Sequence, residues 1–220
     1  MSLGICTPMF GGKCDKEFLD SCLALQRELI AIGMDHSWLF MTNESLITRG
    51  RNKLVATFLA ETKHEAMLFI DADIEFTPAD VAALWNLEKP VAGGCYSRKS
   101  PGQEPLVWVD GEERPLADFY APFKCDRLAT GFLMIRRDAL MTLIESHDVP
   151  DYDESGRTWE LFNTPVVEWE GYQGMAEPTG WRRRWMPSED YYFSELWVRA
   201  GGELWTDPSI KLKHWGRAAF

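Results

Sequence analysis

The sequence MLFIDAD occupies positions 67–73 and joins a short apolar run to two aspartates. The run at 67–70 is too short for a helix and has the composition of a buried central strand. Asp71 and Asp73 follow where this strand ends, and ligands of α/β sheets bind beyond the carboxyl ends of the strands. Two neighbouring carboxylates are stable together when a cation or proton lies between them, and Mg²⁺ and Mn²⁺ prefer such oxygen ligands. The pattern predicts a cation site, although an aspartate in this place can also simply cap the following turn.

Apolar strands and amphipathic helices alternate before this motif. Residues 3–7 and 38–42 are predicted strands, and residues 15–33 and 49–62 are predicted helices. Asp15 suits the N-cap of the first helix, and Gly33 suits its end. This order is typical of parallel strands connected by crossover helices. We therefore expect an α/β fold with a mostly parallel central sheet flanked by helices.

The chain after the motif is less regular, and we expect a smaller irregular region there. Thr77 and Pro78 have the residue types of an N-cap and a first helical position. Residues 148–187 are rich in Pro, Gly, Trp and charge without a sustained period, and loops of this length are usually functional lids or disordered. We expect this segment, or at least residues 181–185, to close over bound substrates. Further strands are predicted at 90–96, 106–109, 118–121, 131–135, 204–206 and 210–214, and further helices at 137–146 and 188–200.

Length, charge and cysteine content narrow the functional classes. A chain of 220 residues favours one large domain, and a net charge of −11 disfavours general binding to nucleic acids or anionic lipids. The five cysteines are odd in number and include no C-x-x-C pair, so neither a disulfide framework nor a zinc knuckle is expected. No apolar run reaches the roughly 20 residues that span a bilayer, and the N-terminus has no signal-peptide pattern. We expect a reduced cytoplasmic protein without a transmembrane segment.

Several short motifs follow one another in a distinctive order between residues 3 and 216. They are the D-x-D at 71–73, TP at 77–78, GGCY at 93–96, ATGFLMI at 129–135, SED at 188–190 and KHWG at 213–216. The ordered set resembles the GT-A-fold nucleotide-sugar glycosyltransferases, particularly inverting members similar to family 2 and the compact enzymes of viruses and phages. The resemblance implies one domain at 1–220. Residues 1–100 would form its nucleotide-sugar half, and residues 101–220 its acceptor and catalytic half.

The resemblance also implies a metal shell and a catalytic base. In the enzymes that the chain resembles, D-x-D holds a divalent ion on the sugar-nucleotide diphosphate, which implies Mn²⁺ or Mg²⁺ at Asp71 and Asp73. A late histidine often completes the shell, so His214 is the matching candidate, although a lone histidine in an apolar strand is as often a hydrogen-bonded core residue. An acidic pair at the start of a late helix carries the base in inverting relatives. We expect Asp190 in that role with Glu189 as the alternative, while the helix dipole alone would also favour acidic residues there.

The same resemblance implies contacts for the two substrates. Thr7 and Pro8 match the position where such enzymes hold the nucleotide base, and an ordinary turn would have the same sequence. The segment 181–185 places three guanidinium groups between two indoles, which suits phosphate clamping or sugar stacking as well as a solvated loop. Donor contacts are expected from Thr7, Pro8, Arg51, Asn52, Asp71 and Ala72. Acceptor or lid contacts are expected from Tyr96, Lys99, Thr130, Gly131, Trp181, Arg182, Arg183, Arg184 and Trp185.

These features predict a metal-dependent glycosyltransferase of the hexosyltransferase type. We expect transfer from a UDP- or GDP-sugar to the hydroxyl of a glycan, lipid-linked or protein acceptor, with inversion. Processive polymerisation is disfavoured because the Q-x-x-R-W motif of processive synthases is missing. Two alternatives remain: a sugar nucleotidyltransferase, for which Lys13 would be the basic residue after the first strand, and a non-catalytic carbohydrate-binding domain of the same fold. Phosphoryl transfer of the haloacid-dehalogenase type is disfavoured. In those enzymes the aspartate pair lies on the first strand, whereas here it comes after the third predicted strand.

Overall fold

The computed structural model describes residues 2–99, 104–146, 149–152, 157–168 and 184–216. The described helices are α1 (Lys16–Ala31), α2 (Ile47–Glu61), α3 (Pro78–Asn86), α4 (Arg137–Glu145) and α5 (Glu189–Arg199). The described strands are β1 (Ser2–Met9), β2 (Asp35–Thr42), β3 (Ala66–Ile70), β4 (Ile74–Glu75), β5 (Val91–Gly93), β6 (Leu106–Val109), β7 (Glu112–Pro115), β8 (Phe123–Cys125), β9 (Phe132–Arg136), β10 (Val167–Glu168), β11 (Arg184–Trp185), β12 (Leu204–Thr206) and β13 (Lys213–His214).

A seven-stranded sheet in the order β2-β1-β3-β9-β5-β12-β8 forms the centre of the fold. Strand β1 is parallel to β2 and β3, and β5 is parallel to β12. Strand β9 runs antiparallel to both β3 and β5, and β8 runs antiparallel to β12 at the edge. The mostly parallel α/β sheet is thus confirmed. Because β1, β3, β5 and β12 share a direction, their carboxyl ends meet at one edge of the sheet.

Apolar side chains cover both faces of this sheet. Helices α2, α4 and α5 pack on one face through residues such as Phe58, Leu140 and Phe193. Helices α1 and α3 pack on the other face through residues such as Leu25 and Leu84. Every residue of β3 is buried, as expected for a strand with helices on both sides. This double burial explains why residues 67–70 form an unbroken apolar run.

The structure corrects the predicted strand at 118–121. Leu116–Asp118 form a 3₁₀ turn, and the strand begins instead at Phe123. Pro122 has no N–H to donate to a sheet ladder, so the pairing with β12 starts only after it. The predicted strands at 90–96 and 210–214 are also shorter in the structure, as β5 and β13.

Strands β6 and β7 form a hairpin. Only β6 was predicted from the sequence, because β7 consists mainly of polar residues. Asp110 and Gly111 form the turn of this hairpin with φ values of 53° and 79°. A two-residue turn with positive φ at both positions favours Asp-Gly, so this dipeptide was the signal that could have indicated the hairpin. The hairpin lies beside the candidate site described below.

The long segment at 148–187 is partly anchored. Leu161 and Phe162 are buried in the core, and β10 pairs with β11 as a two-stranded ribbon. This anchoring contradicts a lid that would include residues 161 and 162. Asp148 and residues 153–156 and 169–183 lie outside the described residues, so closure by residues 181–185 stays a prediction. Within the described part of the chain, no helix has the length and apolar character needed to cross a membrane.

Candidate active site

The two aspartates of the D-x-D motif lie in the turn between β3 and β4. The Asp71 N–H donates to the carbonyl of Gly131 at 3.0 Å, and the Ile74 N–H donates to the carbonyl of Asp71 at 3.0 Å. This turn directs the backbone away from the sheet directly after its most buried strand. Both carboxylates are therefore held at the edge where the parallel strands end.

Arg51 of α2 connects the first aspartate with the start of α5. Its side chain is almost completely buried, and its Nη2 lies 3.0 Å from Asp71 Oδ1. Its Nε lies 3.5 Å from Glu189 Oε1. A buried guanidinium needs carboxylate partners, so the ion pairs hold α2, the D-x-D turn and α5 together. Arg51 therefore lies beside the D-x-D turn, and its contact with a donor stays a prediction.

Asp73 is held by the C-terminal strand and by a lysine. The Trp215 N–H donates to the carbonyl of Asp73 at 2.9 Å, and Lys99 forms an ion pair with the Asp73 carboxylate. His214 Nε2 lies 3.7 Å from Asp73 Oδ1, while His214 Nδ1 lies 3.1 Å from the carbonyl oxygen of Ser97. Burial alone would raise the pKa of Asp73, but its contacts with His214 and Lys99 lower it. Lys99, predicted as an acceptor or lid residue, contacts the D-x-D motif, because β13 and residues 94–99 lie beside the same turn, and its role toward the acceptor stays a prediction.

One oxygen of each carboxylate lies outside the hydrogen-bond network. Asp71 Oδ1 and Asp73 Oδ1 are buried and accept no hydrogen bond. Arg51 Nη2 lies 3.0 Å from the first of these oxygens, and His214 Nε2 lies 3.7 Å from the second. Among the described residues, no three His, Cys, Asp or Glu side chains form a group that could hold a metal ion. Magnesium ions are commonly held by one or two carboxylates together with substrate phosphates and water. The residues present therefore fit a divalent ion that shares its shell with a substrate, and not one held by protein ligands alone.

A cavity of about 400 Å³ opens beside the D-x-D turn, and we call it the DxD cavity. The loop after β1 forms one wall, and the Asp15 N–H ties this loop to the carbonyl of Ala72 at 2.9 Å. Phe10 in the same loop is 75% exposed. Pro8 and Ala72, which were predicted as donor contacts, line the cavity together with Phe10, Lys13 and Ile47, which were not. The lining residues are Pro8, Phe10, Lys13, Cys14, Asp15, Ile47, Asp71, Ala72 and Asp73.

A second cavity of about 290 Å³ lies beside the start of α5, and we call it the α5 cavity. Asp190 lines it, accepts a hydrogen bond from Ser188 Oγ and accepts another from the Tyr191 N–H. Burial raises the pKa of Asp190 above its usual value, although the hydrogen bond from Ser188 opposes the shift. Its lining also includes Cys95, Tyr96, Ser97, Arg98, Glu104, Leu106, Val107, Trp108, Glu113, Arg127, Ala129, Tyr191 and His214.

Tyr96 and Gly131 are in contact where the two cavities approach each other. The Gly131 N–H donates to Tyr96 Oη at 3.1 Å, and the Tyr96 ring meets the His214 ring edge-on at a centroid distance of 5.0 Å. A Cβ on Gly131 would lie 2.3 Å from Tyr96 Oη and 3.0 Å from Asp71 Oδ2. Any larger residue at this position would therefore have to displace the Tyr96 side chain.

The structure also describes some of the remaining predicted site residues. Asn52 is not brought to the site, because its amide bonds both the N–H and the carbonyl of Phe162, at 2.9 and 3.0 Å. Thr130 is buried. Arg184 and Trp185 belong to β11, and Trp181, Arg182 and Arg183 lie outside the described residues.

Comparison with known proteins shows the fold. No protein-family model and no curated protein matches this sequence. The crystal structure of A197 from STIV matches with a TM-score of 0.58 at 14% identity, over 99% of this chain and 87% of that one. The catalytic domain of Drosophila β1,4-galactosyltransferase 7 in complex with xylobiose matches with a TM-score of 0.50 at 12% identity, over 98% and 71%. A mutant of that enzyme with manganese, UDP-Gal and xylobiose matches equally well at 11% identity. With a seven-stranded sheet and flanking helices that match these structures over nearly its whole length, this chain has the GT-A fold, the fold of nucleotide-sugar glycosyltransferases.

Proposed function

We propose that this protein is a metal-dependent glycosyltransferase that moves a hexosyl group from a nucleotide sugar to an acceptor hydroxyl with inversion. One observation carries the proposal: five buried side-chain polar atoms of the described residues have no hydrogen-bond partner, and four of them belong to residues at or beside the D-x-D turn. These four are Thr7 Oγ1, Arg51 Nη1, Asp71 Oδ1 and Asp73 Oδ1. A buried polar atom without a hydrogen bond lowers the stability of the folded protein. A bound diphosphate with its cation would supply the missing partners.

The side chains around the DxD cavity suit a sugar-nucleotide diphosphate. Asp71 and Asp73 would hold the divalent ion. When the Nδ1–H of His214 donates to Ser97, its Nε2 keeps a lone pair, which is the usual arrangement of a metal-binding histidine. The bound ion would offset the charge of the departing diphosphate. In a chain of net charge −11, the cations Lys13, Arg51 and Lys99 provide the local positive charge that an anionic donor requires.

Geometry favours Asp190 over Glu189 as the general base. Glu189 is engaged in an ion pair with Arg51, whereas Asp190 lines the α5 cavity. An aspartate with a raised pKa is a stronger base than an ordinary one. In the proposed step, the acceptor hydroxyl gives its proton to Asp190 as its oxygen bonds to the anomeric carbon. The bond from that carbon to the diphosphate oxygen breaks on the opposite side, and the configuration inverts.

A panel of UDP- and GDP-sugars, each with and without Mn²⁺, tests the activity. We expect release of nucleoside diphosphate that requires Mn²⁺, and NMR of the product should show an inverted anomeric centre. A parallel assay supplies a nucleoside triphosphate and a sugar 1-phosphate, and release of pyrophosphate in that assay would indicate the nucleotidyltransferase alternative. A product that keeps the donor configuration would contradict the inverting mechanism.

Cys14 permits a binding test that needs no turnover. It is exposed and lines the DxD cavity, whereas the other four cysteines are buried. Burial raises the pKa of Cys22 to about 12 and that of Cys95 to about 11, which suppresses their reaction with alkylating reagents. We expect UDP or GDP with Mn²⁺ to slow the alkylation of Cys14 by iodoacetamide several-fold. An unchanged rate with every nucleotide would contradict the proposed donor site, and protection without turnover would indicate a non-catalytic domain.

A further inference from the structure

The fifth buried polar atom without a partner lies away from the D-x-D turn. It is the indole Nε1 of Trp108, a residue of β6 that lines the α5 cavity together with Asp190. The Asp126 N–H donates to the carbonyl of Trp108 at 2.8 Å, so the backbone at this position is fixed. An N–H buried without an acceptor costs about 1–3 kcal/mol. A ligand hydroxyl in the cavity is the acceptor that this indole would then gain.

Arg127 fixes the aromatic side chains of this wall. Its guanidinium lies between the rings of Trp108 and Tyr191, at 4.9 and 4.8 Å from their centroids. Arg127 is itself buried. A cation between two aromatic faces restrains both rings. The indole ring is therefore held in a fixed orientation, and a preorganised side chain favours selective binding.

The charges of the α5 cavity disfavour an anionic ligand. Its carboxylates are Glu104, Glu113 and Asp190, and its guanidinium groups are Arg98 and Arg127. Arg98 forms an ion pair with Glu113 at 2.9 Å, and the guanidinium of Arg127 lies between the rings of Trp108 and Tyr191. Arg98 is thus neutralised by a carboxylate of the same cavity, and Arg127 is covered by aromatic rings. A phosphate or carboxylate on the ligand would face additional negative charge, whereas the hydroxyls of an uncharged sugar can donate to carboxylates and accept from the indole.

We propose that the acceptor bound in the α5 cavity is an uncharged saccharide and that Trp108 is a residue that determines this specificity. The inference rests on the proposed function, because it takes the α5 cavity as the acceptor side of a glycosyltransferase. A volume of about 290 Å³ is near the lower limit of ligand pockets, about 300 Å³. This size suits a terminal sugar better than a bulky lipid chain.

Matched sugars that differ in one charge test the substrate class. Methyl β-glucoside and methyl β-galactoside are each paired with the corresponding uronide, and binding is measured by saturation-transfer NMR with UDP and Mn²⁺ present. We expect at least one neutral sugar to bind about tenfold more tightly than its uronide. Equal or tighter binding of the uronides, or no binding of any probe, would overturn the inference. Because binding is measured without transfer, this failure is distinct from failure of the donor panel to show turnover.

Substitution of Trp108 tests the residue itself. Trp108→Phe keeps an aromatic ring but removes the N–H, and we expect a three- to tenfold weaker binding of the neutral sugar, the usual effect of one lost hydrogen bond. In transfer assays the KM for the acceptor should rise more than kcat falls. Trp205→Phe is the matched control, because that indole donates to Glu203 and lies outside the α5 cavity. Equal affinity of the Trp108 and Trp205 variants would overturn the role of Trp108.

A charge-removing variant keeps the inference testable if Trp108→Phe folds poorly. Glu113→Gln removes one carboxylate of the cavity and releases Arg98 from its ion pair. We expect the uronides to bind several-fold more tightly to this variant. Unchanged binding of the uronides would overturn the charge-based part of the inference.

Discussion

The DxD cavity and the α5 cavity meet at the same edge of the sheet but are built in different ways. The DxD cavity takes its main residues directly from the ends of β1 and β3, and ion pairs to Arg51 and Lys99 hold its carboxylates. The α5 cavity takes its walls from the β6–β7 hairpin, from residues 126–129 and from α5. The comparison teaches that the DxD cavity depends mainly on short stretches at strand ends, whereas the α5 cavity depends on surfaces from distant parts of the chain.

The largest expected effect comes from removing a proposed metal ligand on the donor side. Asp73→Ala should reduce Mn²⁺-dependent turnover at least about 1000-fold, because a bound ion supplies several kcal/mol of charge stabilisation. Nucleoside diphosphate release measures this effect. Asp20→Ala is the control, since Asp20 is an exposed partner of Lys16 on α1. Undiminished turnover in the Asp73 variant would contradict the proposed metal site.

Removing the proposed general base, Asp190, should have a somewhat smaller effect on turnover. Asp190→Asn is expected to lower turnover about 100- to 10,000-fold, the usual contribution of a general base. Nucleotide protection of Cys14 should stay intact, because Asp190 lines only the α5 cavity. Glu189→Gln is the matched comparison. It should lower turnover less than Asp190→Asn, because Glu189 contacts Arg51 and is not among the residues that line the α5 cavity. Normal turnover of Asp190→Asn together with loss in Glu189→Gln would reverse the assignment.

Crowding the contact between the cavities should have an intermediate effect. Gly131→Ala places a Cβ 2.3 Å from Tyr96 Oη, and overpacking of this kind costs about 1–3 kcal/mol. We expect turnover to fall about 10- to 100-fold. Gly50→Ala is the control, because the nearest atom to its Cβ would be 3.5 Å away.

A second substitution separates crowding from other causes. Tyr96→Phe removes the atom nearest to the new Cβ, so it should restore part of the activity when added to Gly131→Ala. A double variant no more active than Gly131→Ala would show that the Tyr96 hydroxyl is not the cause. Steady-state kinetics of the three variants decides between these outcomes.

The smallest effect is a pH dependence that belongs to the α5 cavity. The raised pKa of Asp190 means that protonation begins at a higher pH than for an ordinary aspartate. The value of kcat should therefore fall as pH falls through this pKa, about tenfold per pH unit below it, because the protonated form cannot accept the acceptor's proton. A pH profile without this acidic limb would contradict the assignment of the base.

The raised pKa of Asp190 affects stability in the opposite direction to kcat. Because the folded state favours the protonated carboxyl, stability falls as pH rises from the ordinary aspartate pKa through the raised one, and the cost is fully present at neutral pH. Asp190→Asn should then raise the melting temperature at pH 7 while lowering activity. Thermal unfolding at pH 7 measures this change, and a melting temperature that stays the same or falls would contradict it.

Local patterns predicted the parts of the site that follow strand ends. The apolar run at 67–70 is buried on both faces, so its position and that of Asp71 and Asp73 could be inferred from hydrophobicity alone. Asn52 was predicted as a donor contact, but its amide is engaged elsewhere in the fold. Asn52 reaches Phe162, which is 110 residues away, and no local pattern encodes such a partner.

The amino-acid sequence alone was enough for the alternation of strands and helices, the carboxylate pair at a strand end and the acidic start of the last long helix, because each depends on side-chain periodicity or on neighbouring residues. Tertiary structure alone decided that Arg51 joins Asp71 to Glu189, that His214 comes beside Asp73 and that Arg127 lies between Trp108 and Tyr191. These contacts join residues far apart in the chain. They depend on how the helices and the C-terminal strand pack around the sheet, and packing is a property of all the side chains together.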